Sequence, residues 1–235
     1  IGVNGGMVLG VADDPGLHSS QNEKDSSNYA IAAKLPMLEP ADSAECKQYA
    51  KLAYELSEQF DTPVMLRLTT RVSHSRSIVE LGERVALDLK PYEKNPAKNV
   101  MLPAFAKPKH HAVEARTEKL REWSEASGIN TLEDNHAKIG IITAGVVYQY
   151  AHEVLGDSVS YLKLGMVNPL PDALLRDFAS RVETVYVIEE LDDIIETHCK
   201  KIGLDVHGKD TFPRCGEFSQ AVIAKCLGRD LPQSK

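Results

Sequence analysis

Cysteines are few in this sequence, and none belongs to a recognisable metal or disulfide motif. The 235 residues include four, Cys46, Cys199, Cys215 and Cys226, and no two of them form a C-x-x-C pair. Zinc sites and iron–sulfur clusters depend on closely spaced thiolates, which this arrangement does not supply. We therefore expect reduced thiols and no metal site within the chain.

The sequence also lacks long apolar runs and an excess of positive charge. No run approaches the roughly 20 apolar residues that cross a bilayer, and the amino terminus is not a signal segment. The formal net charge of -7 offers no basic surface to a phosphate backbone. We expect no membrane and no nucleic-acid partner, and a cytoplasmic location.

Several short catalytic motifs are missing as well. There is no G-x-G-x-x-G, P-loop, H-E-x-x-H or nucleophile elbow. The histidines His152, His198 and His207 have no ligand spacing with cysteines or carboxylates, so surface or structural roles are expected for them. The pair at residues 110–111 lies in a basic stretch and is not expected to bind a metal.

What the sequence does contain is a regular alternation of apolar runs and amphipathic stretches. Residues 7–12 form a continuous apolar run that predicts a buried strand, and residues 63–68 predict the following strand. Between them an apolar stripe predicts a helix beginning near Asp42. Strand, helix and strand in this order are typical of a parallel sheet covered by helices. Residues 1–75 are therefore predicted to be part of an α/β domain.

The rest of the chain divides into a connection and a second α/β pattern. Residues 76–137 are rich in Lys, Pro, Glu and His, and only 112–127 predict a helix, so this stretch is interpreted as a surface linker. Residues 138–235 predict a second module. Its strands are expected at 139–143, 161–164 and 184–188, with helices between them and a last helix at 217–227.

Loops that follow strands are the places to search for a site, because ligands in open α/β sheets bind beyond the carboxyl ends of the strands. Two loops are rich in hydrogen-bonding side chains. The candidate pocket residues are His18, Ser19, Ser20, Gln21 and Asn22 in the first loop, and Arg67, Thr69 and Arg71 in the second. Arginine suits paired hydrogen bonds to a carboxylate. The alternatives are turns that bond their own backbone and surface ion pairs.

Three further features are weaker candidates. Residues 143–145 open a helix after a strand, where free backbone N–H groups can hold an anion, although Gly145 also suits close packing. The acidic pairs at 189–190 and 192–193 are interpreted as the charged start of a helix rather than as catalytic groups.

Longer strings resemble a known enzyme family. Residues 5–16 (GGMVLGVADDPG), 18–23 (HSSQNE) and 67–75 (RLTTRVSHS) resemble the α subunit of archaeal and anaerobic bacterial indolepyruvate ferredoxin oxidoreductases. Residues 165–171 (GMVNPLP), 187–191 (VIEEL) and 197–199 (THC) resemble the same subunit independently. The similarity spans nearly the whole chain.

The resemblance implies a fold, a reaction and partners. Members of the family decarboxylate aryl pyruvates oxidatively with coenzyme A, giving an aryl-acetyl-CoA, carbon dioxide and reduced ferredoxin. They use thiamine diphosphate with Mg, which supplies carbanion chemistry, and iron–sulfur clusters. By resemblance, residues 1–75 are the end of a pyrimidine-type thiamine-diphosphate-binding domain, and 138–235 form a transketolase C-terminal-like domain. A β subunit, ferredoxin and an oligomeric assembly are expected.

The sequence also departs from the family pattern. The glutamate that activates the cofactor, the Gly-Asp-Gly metal motif and the cluster cysteines are not found, and the chain begins at Ile1 without a methionine. We therefore expect an interior fragment that is inactive alone, binds none of these cofactors and contributes one wall of the substrate pocket. The alternatives are a docking module without chemistry, or a fragment of a pyruvate, 2-oxoglutarate or branched-chain 2-oxoacid enzyme.

Overall fold

Two four-stranded sheets flanked by helices form the fold in the computed structural model, which describes residues 2–86, 88 and 90–231. The first sheet has the order β1 (Val8–Asp13), β3 (Val64–Thr69), β2 (Met37–Leu38), β7 (Met166–Asn168). The second has the order β4 (Thr131–Glu133), β6 (Ser160–Leu164), β5 (Ile139–Ala144), β8 (Thr184–Ile188). All pairings are parallel except those of β7 and β4, which lie antiparallel at the edges. The predicted α/β class is confirmed.

Helices cover the sheets and connect the strands. They are α1 (Ser27–Ala33), α2 (Ser43–Phe60), α3 (Thr70–His74), α4 (Pro96–Asn99), α5 (Pro103–Ala126), α6 (Gly145–Leu155), α7 (Asp172–Ser180), α8 (Ile194–Lys201) and α9 (Gln220–Cys226). Helix α2 begins where the capping pattern predicts, because the Asp42 carboxylate accepts the Glu45 backbone N–H at 2.9 Å. Within the described ranges, no helix combines the length and the apolar character needed to cross a bilayer.

Three elements differ from the sequence prediction. Helix α5 begins at Pro103 rather than near residue 112, because Pro103 fits a first turn that needs no N–H donor, and the helix continues through Pro108. Helix α1 buries only small residues, Ser27 and Ala30, so it gives no strong apolar period. Strand β4 is three residues long, too short for its alternation to be recognised.

The first strand is also less buried than its apolar run predicts. β1 pairs only with β3 and lies at the edge of its sheet, where Leu9 is 39% exposed and the neighbouring Met7 is 48% exposed. The prediction of a buried strand at this position was wrong. Hydrophobic composition alone does not distinguish an edge strand from a central one.

The two sheets share one hydrophobic core and exchange strands. Met37 and Met65 of the first sheet pack in one cluster with Ile142, Leu164 and Val187 of the second. β7, from the predicted second module, completes the first sheet, and β4, from the predicted linker, completes the second. The sheets therefore depend on each other for burial, and the division of the chain at 75 and 137 stays a prediction.

The carboxyl ends of the sheets meet at a glycine. Gly145, directly after β5, has a φ of +57° and lies against the carboxylate of Glu39, which directly follows β2. A Cβ at this position would collide with the Glu39 side chain, and an L-residue would be strained in this conformation. Gly145 is therefore required both by its backbone and by the approach of the sheets, which agrees with its interpretation as a packing glycine.

We predict that Gly145→Ala destabilises the fold more than Gly128→Ala. Gly128 also has a positive φ, of +75°, but faces open space, so its substitution costs only the backbone term of about 1–2 kcal/mol. The collision with Glu39 adds to that term at Gly145, and Glu39→Ala in the same chain should recover part of the loss. Urea unfolding of these three variants and of Glu39→Ala alone measures this, and equal losses for the two glycine variants would contradict the packing argument.

Candidate functional site

A buried arginine occupies the centre of the junction between the sheets. Arg67 on β3 is 5% exposed and contacts three carboxylates: Nε lies 2.7 Å from Asp13, Nη1 lies 2.9 Å from Glu39, and Nη2 lies 3.5 Å from Asp25. Burial alone would lower the pKa of this guanidinium, but the carboxylates of Glu39, Asp25 and Asp13 together raise it well above its ordinary value. Arg67 is therefore a permanent positive charge held by the protein's own acids.

A second pair of acids approaches this arginine from the other sheet. Glu189 and Glu190 directly follow β8 and are both buried. Burial raises the pKa of Glu190 to about 7, and burial likewise raises the pKa of Glu189. The raised pKa values favour the neutral forms of these glutamates, at a junction whose described residues include more carboxylates than cations.

A small cavity of about 20 Å³ lies within the junction. Its polar lining residues are Asp25, Ser27, Glu39, Arg67, Glu189 and Glu190, and its apolar walls include Ala144 and Ile195. This volume accommodates about one water molecule and not an organic substrate. Nη2 of Arg67 has no protein hydrogen-bond partner, so a water at this position would have a donor.

Asp14, which follows Asp13 at the end of β1, organises the outer part of the site. The Asp14 carboxylate accepts hydrogen bonds from the backbone N–H groups of Ser19 and Ser20, both at 3.0 Å, and from the Thr70 hydroxyl at 2.6 Å. The Ser19 and Thr70 bonds hold the pKa of Asp14 well below its ordinary value. An anionic Asp14 thus fixes the conformation of the predicted pocket loop.

The outer part of the site also contains a histidine and an arginine that share one glutamate. His18 Nδ1 lies 2.9 Å from Asp14, and its Nε2 lies 3.2 Å from Glu217 and 3.4 Å from Arg71. The hydrogen bond to Asp14, followed by the charge of Glu217, raises the pKa of His18. Arg71 Nη2 donates to Glu217 at 2.6 Å, and the Arg71 side chain is 53% exposed. His18 and Arg71 therefore lie side by side against one glutamate, and the raised pKa of His18 favours its protonated form.

A further glutamate, Glu23, links two loops that lie far apart in the sequence. One oxygen of Glu23 accepts the backbone N–H of Gly16 at 2.6 Å and that of Gly216 at 2.8 Å. The first pocket loop is thereby fixed to the loop that precedes α9. The amino- and carboxyl-terminal parts of the chain therefore meet at this point.

The predicted pocket residues fall into three groups. His18, Ser19, Ser20 and Arg71 meet around Asp14 and Glu217. Arg67 and Thr69 are buried beneath them, and the Thr69 hydroxyl has no hydrogen-bond partner. Gln21 and Asn22 are exposed on the loop.

Sequence reasoning did not assign functional roles to three acids of the site. The sequence predicts Glu217 at the start of the last helix, which begins at Gln220 in the structure. Glu217 lies 146 residues from Arg71, so no local pattern connects them. Glu189 and Glu190 follow a strand, which is the one signal that could have identified them. Glu189 does cap a helix, since it accepts the N–H groups of Ile195 and Glu196, but Glu190 does not and lines the junction instead.

The cysteines do not form an iron–sulfur site in the described part of the chain. Among those residues, no group of three or more potential metal ligands contains a cysteine. Burial raises the pKa of the Cys199 thiol to about 12, which disfavours the thiolate that a cluster requires. At the sheet junction, the described carboxylates likewise form no group of three potential metal ligands. The described residues therefore do not fit an iron–sulfur cluster or the metal ion of a diphosphate site.

Comparison with known proteins identifies close relatives. No protein-family profile matches the sequence. The indolepyruvate oxidoreductase subunit IorA of Archaeoglobus fulgidus is 40% identical over 240 residues, which cover 97% of this chain. The IorA subunit of Pyrococcus horikoshii is 41% identical over 254 residues, which cover 99% of the chain. The chain spans 38% and 39% of the length of these two relatives. The resemblance found in the sequence strings is confirmed.

A solved structure has the same fold. The chain superposes on a 2-oxoglutarate:ferredoxin oxidoreductase from Magnetococcus marinus, solved with 2-oxoglutarate, coenzyme A and succinyl-CoA bound, with a TM-score of 0.64. The match covers 93% of this chain and 48% of that one, at 15% sequence identity. At this identity the likeness concerns the fold alone.

We predict that Glu190→Gln removes a pH-dependent loss of stability. The folded pKa of Glu190, about 7, exceeds its ordinary value of 4.5, so its contribution is complete below pH 4.5 and is lost as the pH rises through 7. Glutamine does not titrate and can still accept the Phe218 N–H. The variant should gain stability relative to the parent, on the order of 2 kcal/mol, between pH 5 and about pH 8.

Urea unfolding from pH 5 to about pH 9 measures this difference. Glu183→Gln, at a glutamate whose side chain is 67% exposed, is the matched control and should show no such gain. A difference between Glu190→Gln and the parent that stays constant over the whole range would contradict the prediction.

Proposed function

Because this chain is similar over nearly its whole length to IorA subunits, we propose that it forms part of an indolepyruvate ferredoxin oxidoreductase. The observation that carries the proposal is the identity of about 40% over 96–99% of the chain, repeated in six relatives of one name. The proposed reaction of the whole protein converts an aryl pyruvate and coenzyme A into an aryl-acetyl-CoA and carbon dioxide. The electrons released reduce ferredoxin.

Within that enzyme, we propose that His18 and Arg71 form a wall that binds the carboxylate of the 2-oxoacid. Arg71 is more suitable than Arg67, because Arg67 is buried and contacts three acids while Arg71 is half exposed. Nη1 of Arg71 makes no hydrogen bond to the described residues, so a carboxylate can bind there without displacing Glu217. The raised pKa of His18 favours a second positive charge beside it.

The remaining chemistry is proposed to need groups that the described residues do not supply. In the complete enzyme, thiamine diphosphate with magnesium and iron–sulfur clusters are proposed to be held by other segments. This chain would contribute residues that position the substrate, and alone it is proposed to be inactive. Its proposed partners are a β subunit, ferredoxin and coenzyme A.

The proposed substrate contact predicts a kinetic effect of Arg71→Ala. In the assembled two-subunit enzyme, kcat/KM for indolepyruvate should fall about tenfold to a hundredfold, because a charge-assisted hydrogen bond to the carboxylate is lost. Arg181→Ala is the control, since Arg181 is likewise an exposed arginine paired with acids, Asp177 and Asp134, but lies outside the site. An unchanged kcat/KM in a folded Arg71→Ala enzyme would rule out this role.

The proposed dependence on other segments predicts the behaviour of the isolated chain. Calorimetry of the 235-residue chain with thiamine diphosphate and Mg²⁺ should give no saturable heat up to millimolar concentrations. Saturable micromolar binding would show that the chain holds the cofactor unaided and would overturn this part of the proposal. Product analysis with the assembled enzyme, comparing indolepyruvate with pyruvate and 2-oxoglutarate, tests the substrate class separately.

A further inference from the structure

Three potential metal ligands meet at a place remote from the sheet junction. Glu133 is the last residue of β4, His152 lies in the last turn of α6, and Asp157 lies in the 3₁₀ turn Gly156–Ser158 that follows. One ligand atom from each lies within 4.8 Å of the others. Gly145, at the start of α6, faces the junction, and His152 lies seven residues further along the helix, so about 10 Å of helix separates the two places.

The geometry suits a metal with little rearrangement. In a site with metal–ligand distances of about 2.0–2.2 Å, neighbouring ligand atoms are about 3–3.5 Å apart. His152 Nε2 already lies 3.4 Å from Glu133 Oε1. A shift of the exposed Asp157 by about 1 Å would complete the set, because a side chain at the surface can change its rotamer at small cost.

Neighbouring groups orient the ligands. The Tyr148 hydroxyl donates to Glu133 Oε2 at 3.1 Å, and Asn135 Nδ2 donates to Glu133 Oε1 at 3.2 Å. The ring of His152 packs against Tyr148 and Tyr161, at centroid distances of 5.6 and 5.3 Å. Outer groups that fix a carboxylate and an imidazole in this way are a regular part of metal sites.

The charge of the group is also uncompensated. Among the described residues, neither Glu133 nor Asp157 forms an ion pair with a lysine or arginine, whereas most buried or half-buried acids of the sheet junction do. Two carboxylates and a neutral imidazole carry a charge of -2, which equals and opposes that of a divalent cation. The imidazole favours a transition metal over Mg²⁺ or Ca²⁺, which prefer oxygen ligands.

We propose that Glu133, His152 and Asp157 bind a divalent transition metal of the Zn²⁺ class, which joins the edge strand β4 to the carboxyl end of α6. The histidine was expected to have no ligand partners because Glu133 lies 19 positions before it in the chain and on another element. Since the metal binds the folded chain and the unfolded chain lacks the arrangement, binding also stabilises the fold. The role is structural and does not depend on the proposed function.

The test uses the whole 235-residue chain after treatment with a chelator. Calorimetry with ZnCl₂ should show one site in the parent, and His152→Ala and Asp157→Asn should weaken binding by at least about tenfold. ZnCl₂ should raise the Tm of the parent and not that of His152→Ala. His136→Ala is the matched control, because its ring is 92% exposed beside Asp134 and outside the group, and it should bind as the parent does. Asp157→Asn, at an exposed turn, keeps the test valid if His152→Ala does not fold.

Two results would overturn the proposal. One is equal affinity of the parent and both ligand variants for Zn²⁺. The other is a thiolate charge-transfer band on addition of Co²⁺, which would place the metal on a cysteine. Binding of MgCl₂ as tight as that of ZnCl₂ would contradict the assigned class of metal.

Discussion

The junction between the sheets depends on the charge of Arg67. One guanidinium contacts Asp13, Asp25 and Glu39, which are supplied by the ends of β1 and β2 and by the segment before α1. A buried ion cluster is costly to desolvate, and removal of its cation would leave carboxylates buried without compensation. The positions of these segments therefore follow from satisfying one charge, which also opposes the effect of burial on the pKa of Glu190 after β8.

Two consecutive aspartates divide the inner from the outer part of the site. Successive residues of a strand point to opposite sides, so at the end of β1 Asp13 contacts the buried Arg67 while Asp14 contacts the loop. Asp13 also accepts the backbone N–H of Ser26 at 2.9 Å, which fixes the start of α1. The pair therefore holds both ends of the loop that contains His18. Substitution of Asp13 would disturb the buried contacts of Arg67, whereas substitution of Asp14 would disturb the loop that contains His18.

The sequence predicted local structure well and charge partners poorly. Strand β8 and the start of α2 follow from apolar patterns and a capping residue, which act over a few positions. The burial of Arg67 could not be read from the sequence, because an arginine at the end of a strand looks the same whether it faces solvent or acids from distant segments. The contacts of Arg71 with Glu217 and of Glu133 with His152 also join residues of different elements, so local sequence patterns do not reveal them. The candidate loop was found because it directly follows a strand.

The exposed first strand has a consequence for how this chain behaves at high concentration. β1 is six residues long and has a partner on one side only within the described part of the chain, and its exposed face includes Leu9. Such an edge presents unpaired backbone donors and acceptors beside an apolar surface, which is a template for strand addition from another molecule. A neighbouring polypeptide that covers β1 would protect against self-association as well as extend the sheet. The solubility of the isolated chain thus depends on whether a polypeptide covers the free edge of β1.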